Sequence, residues 1–176
     1  MSNNDDGKGL TEILNAQTPS LRPSDAVAAI IVVPGQGYLM QHRDPIPNIF
    51  YPGHWGLFGG ASEEGEDEIT ALKRELHEEL ALPSENIAPV RFLNFRFQFE
   101  FGAGAVVHRH YYTLNIAPEN VSELRLAEGA GMAVLDWREA LDPNRLVTPY
   151  DSFALWVHHN QDRLSLDHLH RMGTEI

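Results

Sequence analysis

Apolar and polar positions along the chain follow two rhythms, one of period two and one of about 3.6. Ala26–Val33 (AVAAIIVV) is a continuous apolar run that stops at Pro34-Gly35, the pattern of a central strand buried on both faces. Gly37–Arg43 (GYLMQHR) follows after a short turn and reads as its hairpin partner. Asp44–His54 holds three prolines and reads as a loop, and Trp55–Phe58 as a short strand broken by Gly59-Gly60. In Glu66–Leu80, Ile69, Leu72, Leu76 and Leu80 form one apolar stripe at helical spacing, with acidic residues in the first turn and Pro83 beyond the end. Val90–Phe101 alternates from Phe95 onward (Phe95, Phe97, Phe99, Phe101), while Val90 and Phe92 fall on the opposite parity. That mismatch predicts a half-buried strand with a bulge near Leu93-Asn94. Val106–Ile116 reads as its antiparallel partner and Ala133–Asp136 as a further strand. Trp137–Leu141 reads as a helical turn, and Tyr150–Asn160 and Asp162–Met172 as C-terminal helices. Mixed strands with segregated helices predict a layered α/β or α+β architecture.

Composition narrows the picture. At 176 residues and 43% hydrophobic content, the chain suits one folded domain with a core of its own. Residues 1–25, polar and proline-containing, are expected to form a tail or arm, and 26–176 a single domain. Thirteen Lys+Arg against 25 Asp+Glu give a net charge of −12. So acidic a surface repels a nucleic-acid backbone, so no nucleic-acid partner is expected. Small phosphorylated ligands stay open if a cation bridges the two. The chain has no cysteine, which excludes disulfides, thiolate metal sites and a Cys nucleophile. Met1–Lys8 shows no basic, apolar leader and no apolar run is long enough to span a bilayer. The expectation is a cytoplasmic protein with no membrane association.

The candidate chemistry lies between Gly60 and Leu82 (GASEEGEDEITALKRELHEELAL). On a helix, Glu75, Glu78 and Glu79 stand at i, i+3 and i+4, so their carboxylates project from one face beside the Leu72/Leu76 stripe. Such a face can simply be solvated. It can equally hold a divalent cation, which relieves the like-charge repulsion. An all-oxygen ligand set favours Mg²⁺ or Mn²⁺ over Zn²⁺.

The spacing Gly60, five residues, Glu66, seven residues, Arg74-Glu75-Leu76-His77-Glu78-Glu79, then Leu82 resembles the Nudix box. Ala81 stands where that family usually has Gly, and Phe58 in the lead-in Trp55–Gly60 where Pro is more frequent. Glu66 is placed to meet the Arg74 guanidinium and fix the element. Ala81 would occupy a left-handed position at the helix end. The resemblance implies a Nudix fold, an α/β/α sandwich around a mixed sheet. It also implies metal-dependent hydrolysis of a phosphoanhydride in a nucleoside diphosphate linked to another moiety. By resemblance, Gly60, Glu75, Glu78 and Glu79 hold the metal, with Mg²⁺ (or Mn²⁺) as cofactor. Glu78, Glu79 and the loop residue Glu128 are catalytic, Glu128 as base or extra ligand. Arg43 stands where the family often has Arg facing the substrate and meets phosphate or makes a surface ion pair, and Tyr51 stacks on a base or packs its own loop. The partner implied is a small phosphorylated nucleotide.

Within the family, absence of Cys argues against isopentenyl diphosphate isomerases, and the complete glutamate set against GDP-mannose glycosyl hydrolases. A triphosphate, a nucleotide sugar or a related small diphosphate remains. The rival expectation is a Nudix-like nucleotide-binding or regulatory domain that has lost catalysis. The phenylalanine stripe reads as core or as a dimer face, which leaves a homodimer open. His108 and His110 share a strand face but lack a third ligand, and no metal site is assigned to them.

Overall fold

The structure is a computed structural model that describes residues 24–47, 49–98 and 106–164. The strands are β1 (Ala26–Val33), β2 (Gly37–His42), β3 (Trp55–Gly56), β4 (Val90–Gln98), β5 (Val106–Asn115) and β6 (Gly131–Leu135). The helices are α1 (Glu68–Leu80), α2 (Trp137–Ala140), α3 (Pro149–His159) and α4 (Gln161–Leu164). Two short 3₁₀ turns, Ser84–Asn86 and Pro118–Glu123, were not expected from the sequence. The tail expected over the first residues, the Phe99–Phe101 end of β4 and the C-terminal helix beyond Leu164 lie outside the described residues.

The sheet runs β3-β2-β1-β5-β4, with β6 on the free side of β2. The expected hairpins form: β1 is antiparallel to β2, and β4 to β5. β1 also runs parallel to β5, Ala26 opposite Arg109 and Val32 opposite Asn115, which makes the sheet mixed. The bulge in β4 falls between Arg91 and Leu93, slightly earlier than the parity switch suggested.

The apolar run of β1 is explained by two covered faces. Val27, Ala29, Ile31 and Val33 pack with Leu72, Leu76 and Leu80 of α1. Ala28 and Ile30 pack with Met40, Tyr111, Ala140 of α2 and Ala154 and Leu155 of α3. The layers are helix, sheet, helix. The three α1 leucines are fully buried, each contributing about 1.5–3 kcal/mol of apolar transfer. Phe95 and Phe97 lie on the α3 side, Phe95 stacked on Phe153 at 5.5 Å and Phe97 edge-on to Tyr150 at 6.2 Å, so the described half of the stripe packs within the domain. Among the described residues no helix is long and apolar enough to cross a membrane.

Helix α1 begins two residues later than its acidic run suggested. Asp67 caps it, accepting from the amides of Ile69 (3.0 Å) and Thr70 (3.1 Å). Glu66 is thereby left outside the helix and folds back to Arg74. At the other end Ala81 has φ 52° and ψ 29°, the left-handed conformation expected there, and its N–H donates to the His77 carbonyl.

Candidate active site

The box is joined to the sheet before its helix starts. The amide of Ala29 donates to the Phe58 carbonyl (2.8 Å) and that of Val27 to the Gly60 carbonyl (2.9 Å), so Phe58–Gly60 runs alongside β1. Gly59 has φ 126°, and a Cβ there would stand 2.3 Å from the Val27 carbonyl oxygen. At Gly60 a Cβ would stand 2.6 Å from the Glu75 carboxylate. Glycines here let the backbone pass between β1 and the Glu75 carboxylate.

Arg74 organises the outer half of the cluster. Its Nε and Nη2 donate to the two oxygens of Glu66 at 3.0 and 2.9 Å, a bidentate pair, and Nη2 also donates to the Ala61 carbonyl. Nη1 donates to Glu75 at 2.8 Å and to Glu78 at 3.3 Å. The guanidinium holds the Glu66 carboxyl below its ordinary range. Glu75 moves the other way, because burial outweighs the help from Arg74. Glu78 is the exposed member, with 58% of its side chain accessible.

Glu79 is buried at 5% exposure and, among the described residues, meets no cation. One oxygen accepts from the Gly59 amide at 2.7 Å, the other from the Gln41 side-chain amide at 2.9 Å. Burial pushes its carboxyl up to about 7; the two neutral donors pull it down, and the charges of Glu75 and Glu128 push it further up. The three helix glutamates thus share a face, as their spacing requires, but occupy three environments. Among the described residues no three acidic or histidine side chains already converge on one point fit for a metal ion, since Glu75 and Glu78 face Arg74. The donor set nevertheless fits a hard divalent cation. It is all oxygen, it holds a buried carboxylate with no positive partner among the described residues, and Gly60 leaves room for the neighbouring one.

Glu128 is exposed, on a loop threaded between α1 and β2. The Ala127 amide donates to the Glu79 carbonyl (2.9 Å), the Ala130 amide to the His42 carbonyl (2.8 Å), and Gln41 reaches the Glu128 carbonyl at 3.1 Å. The structure therefore brings Glu128 to the same cluster as Glu75 and Glu79. Arg43 follows β2; its Nε donates to the Phe50 carbonyl at 3.0 Å, closing the proline-rich loop. Tyr51 sits at the loop's turn with φ 53°, a left-handed conformation rare outside glycine, and is edge-on to His54 and Tyr150 at 5.5 Å. His108 and His110 stack on β5 (5.9 Å), and His110 lies 3.3 Å from Glu68, apart from the glutamate cluster.

Two polar groups escaped the sequence reading. Gln41 has the parity of Leu39 in β2, so alternation aims it inward toward α1, and a polar residue at an inward position was the available signal. The other is Asp151 in the first turn of α3. It accepts from the Leu57 amide (3.0 Å), the Thr148 hydroxyl (2.7 Å) and the Tyr111 hydroxyl (3.0 Å), and pairs with Arg109 at 3.3 Å. Burial disfavours the Arg109 charge, but Asp151 more than offsets this and the guanidinium titrates above its usual range. No spacing in the sequence announces this cluster, because its members come from β5, α3 and the segment after β3.

An α/β/α sandwich with a Nudix-box helix docked across its mixed sheet defines the class. A family model described as NUDIX domain matches residues 22–157, and the chain belongs to that family. Membership makes it an enzyme of the pyrophosphohydrolase type. Solved structures agree on the fold. The MutT NUDIX hydrolase from Burkholderia pseudomallei superposes with a TM-score of 0.60 at 21% identity, covering 77% of this chain and 98% of that one. The E. coli dihydroneopterin triphosphate pyrophosphohydrolase gives 0.58 at 19%, covering 74% and 90%. A C. elegans Ap4A hydrolase in a binary complex gives 0.55 at 19%, covering 78% and 96%. No curated protein matches the sequence.

Proposed function

We propose that the protein hydrolyses a phosphoanhydride in a nucleoside diphosphate derivative, with Mg²⁺ or Mn²⁺ held by Glu75, Glu78 and Glu79 beside Gly60. The observation that carries this reading is Glu79, a buried carboxylate oriented by two neutral donors and, among the described residues, left without a cation. A carboxylate so placed is costly unless something positive joins it. When bound, the metal offsets the charge of the diphosphate and makes water more acidic. Arg74 keeps Glu75 and Glu78 beside Glu79 and prevents the helix face from splaying. Glu128, exposed at the rim of the cluster, accepts the proton of the attacking water. Arg43 binds a phosphate oxygen, and Tyr51, held in a strained turn beside Tyr150, offers its ring to the base. Two of the fold neighbours are named for a triphosphate and for Ap4A, in keeping with a nucleotide-like polyphosphate.

The rival reading, a binding domain without catalysis, is disfavoured by the intact box, since Glu66, Arg74, Glu75, Glu78 and Glu79 are all present. A screen of nucleotide sugars, dinucleoside polyphosphates and nucleoside triphosphates with Mg²⁺, read as phosphate released after a coupled phosphatase, tests the proposal. The expected result is turnover of at least one class that stops on chelation. Ligand binding without turnover across the screen would favour the binding domain.

A further inference from the structure

The side chain of Gln41 is 2% exposed in β2, at the junction of α1 and the Glu128 loop. Its amide nitrogen lies 2.9 Å from Glu79 Oε1 and 3.1 Å from the Glu128 carbonyl oxygen. Both neighbours are acceptors, so only the NH₂ end of the amide can face them, and its two hydrogens match the two oxygens. The loop is fitted to this side chain, for a Cβ on Gly129 would stand 3.0 Å from Gln41 Cγ. Resting on the cation-site reading above, we infer that Gln41 is a positioning residue, a neutral clamp that orients Glu79 and fixes the Glu128 loop against it.

The chemistry of the amide explains why this position suits it. A Lys or Arg here would neutralise Glu79 and compete with any cation for it. A carboxylate would face Glu79 with like charge. An apolar side chain would leave Glu79 with the Gly59 amide alone. An amide fixes the carboxylate's direction and leaves its charge unspent. Through the second hydrogen it couples the loop that carries Glu128 to the same point, alongside the backbone bonds of Ala127 and Ala130.

The test compares wild type with Gln41→Met, which keeps shape and loses both donors, by thermal unfolding across a Mg²⁺ titration. The Mg²⁺ concentration giving half the stabilisation should rise about 10–100-fold in Gln41→Met. In the metal-free protein, amide exchange at Ala127 and Ala130 should quicken. With a substrate found by the screen, kcat at saturating Mg²⁺ should fall while KM stays within about twofold. In a Glu79→Gln background, Gln41→Met should add no further loss of Mg²⁺ response. Gln41→Asn retains an amide but is one methylene short of spanning both acceptors, so it should give an intermediate loss, and it serves if the Met variant fails to fold. A variant with lower metal-free stability but the wild-type Mg²⁺ midpoint and kcat would overturn the inference and make Gln41 ordinary packing. Should wild type show no Mg²⁺ stabilisation that Glu79→Gln diminishes, the cation-site reading fails and this inference with it. Should wild type show it and both Gln41 variants match wild type, the inference alone fails.

Discussion

Among the box glutamates, Glu79 has the carboxyl displaced furthest from its ordinary value, chiefly by burial. Its folded-state carboxyl sits near 7, above the ordinary carboxylate value it regains on unfolding. Between roughly pH 4.5 and 7 the unfolded chain has given up this proton and the folded protein still holds it. Metal-free protein should therefore lose stability as pH rises through that window and level off above it. Unfolding midpoints measured from pH 4.5 to 8.5 check this, and Glu79→Gln should remove that part of the slope. Saturating Mg²⁺ should flatten it too, because a cation favours the ionised ligand. The charged triad was legible from i, i+3, i+4 spacing alone. Its unequal burial was not, because that depends on how α1 is rotated against β1, and on Gln41 and Gly59, which lie far from it in sequence.

Among the elements, α1 was read correctly in its body and misread at its start. The apolar stripe determined the body. The start depended on which of several acidic residues became the cap, and Asp67 took that place while Glu66 turned to Arg74. At its end, Ala81 adopts φ 52° with a Cβ that the conformation disfavours. Ala81→Gly should stabilise the protein by up to about 1 kcal/mol, or a rise of about 2–4 °C in Tm, without changing activity. Helix α3 is secured differently. Asp151 ties its first turn to Leu57, just ahead of the box, and to Arg109 and Tyr111 on β5. Asp151→Ala leaves the Arg109 guanidinium buried without its partner and should cost about 3–5 kcal/mol by chemical denaturation. A loss below about 1 kcal/mol would mean that water reaches Arg109 in its place. Strand pairing shows the same division. Local hairpins could be read from turns and parity, whereas the parallel β1–β5 pairing, which makes the sheet mixed, joins segments far apart and leaves no local mark.

For the whole molecule, the net charge of −12 and the proposed anionic substrate are compatible only if cations mediate their meeting. The described surface has many acidic groups, so general ion binding and specific binding at the box must be separated. Helix α1 puts the box glutamates at the edge of the core, while Glu123 lies exposed in the 3₁₀ turn Pro118–Glu123 and serves as the control. The decisive measurement is Mg²⁺-dependent turnover of the best substrate from the screen in wild type, Glu79→Gln and Glu123→Gln. If the box holds the metal, Glu79→Gln loses about 100-fold in kcat while retaining a cooperative unfolding transition, and Glu123→Gln stays within about twofold of wild type. Equal turnover in all three proteins would contradict it and move the chemistry away from the box.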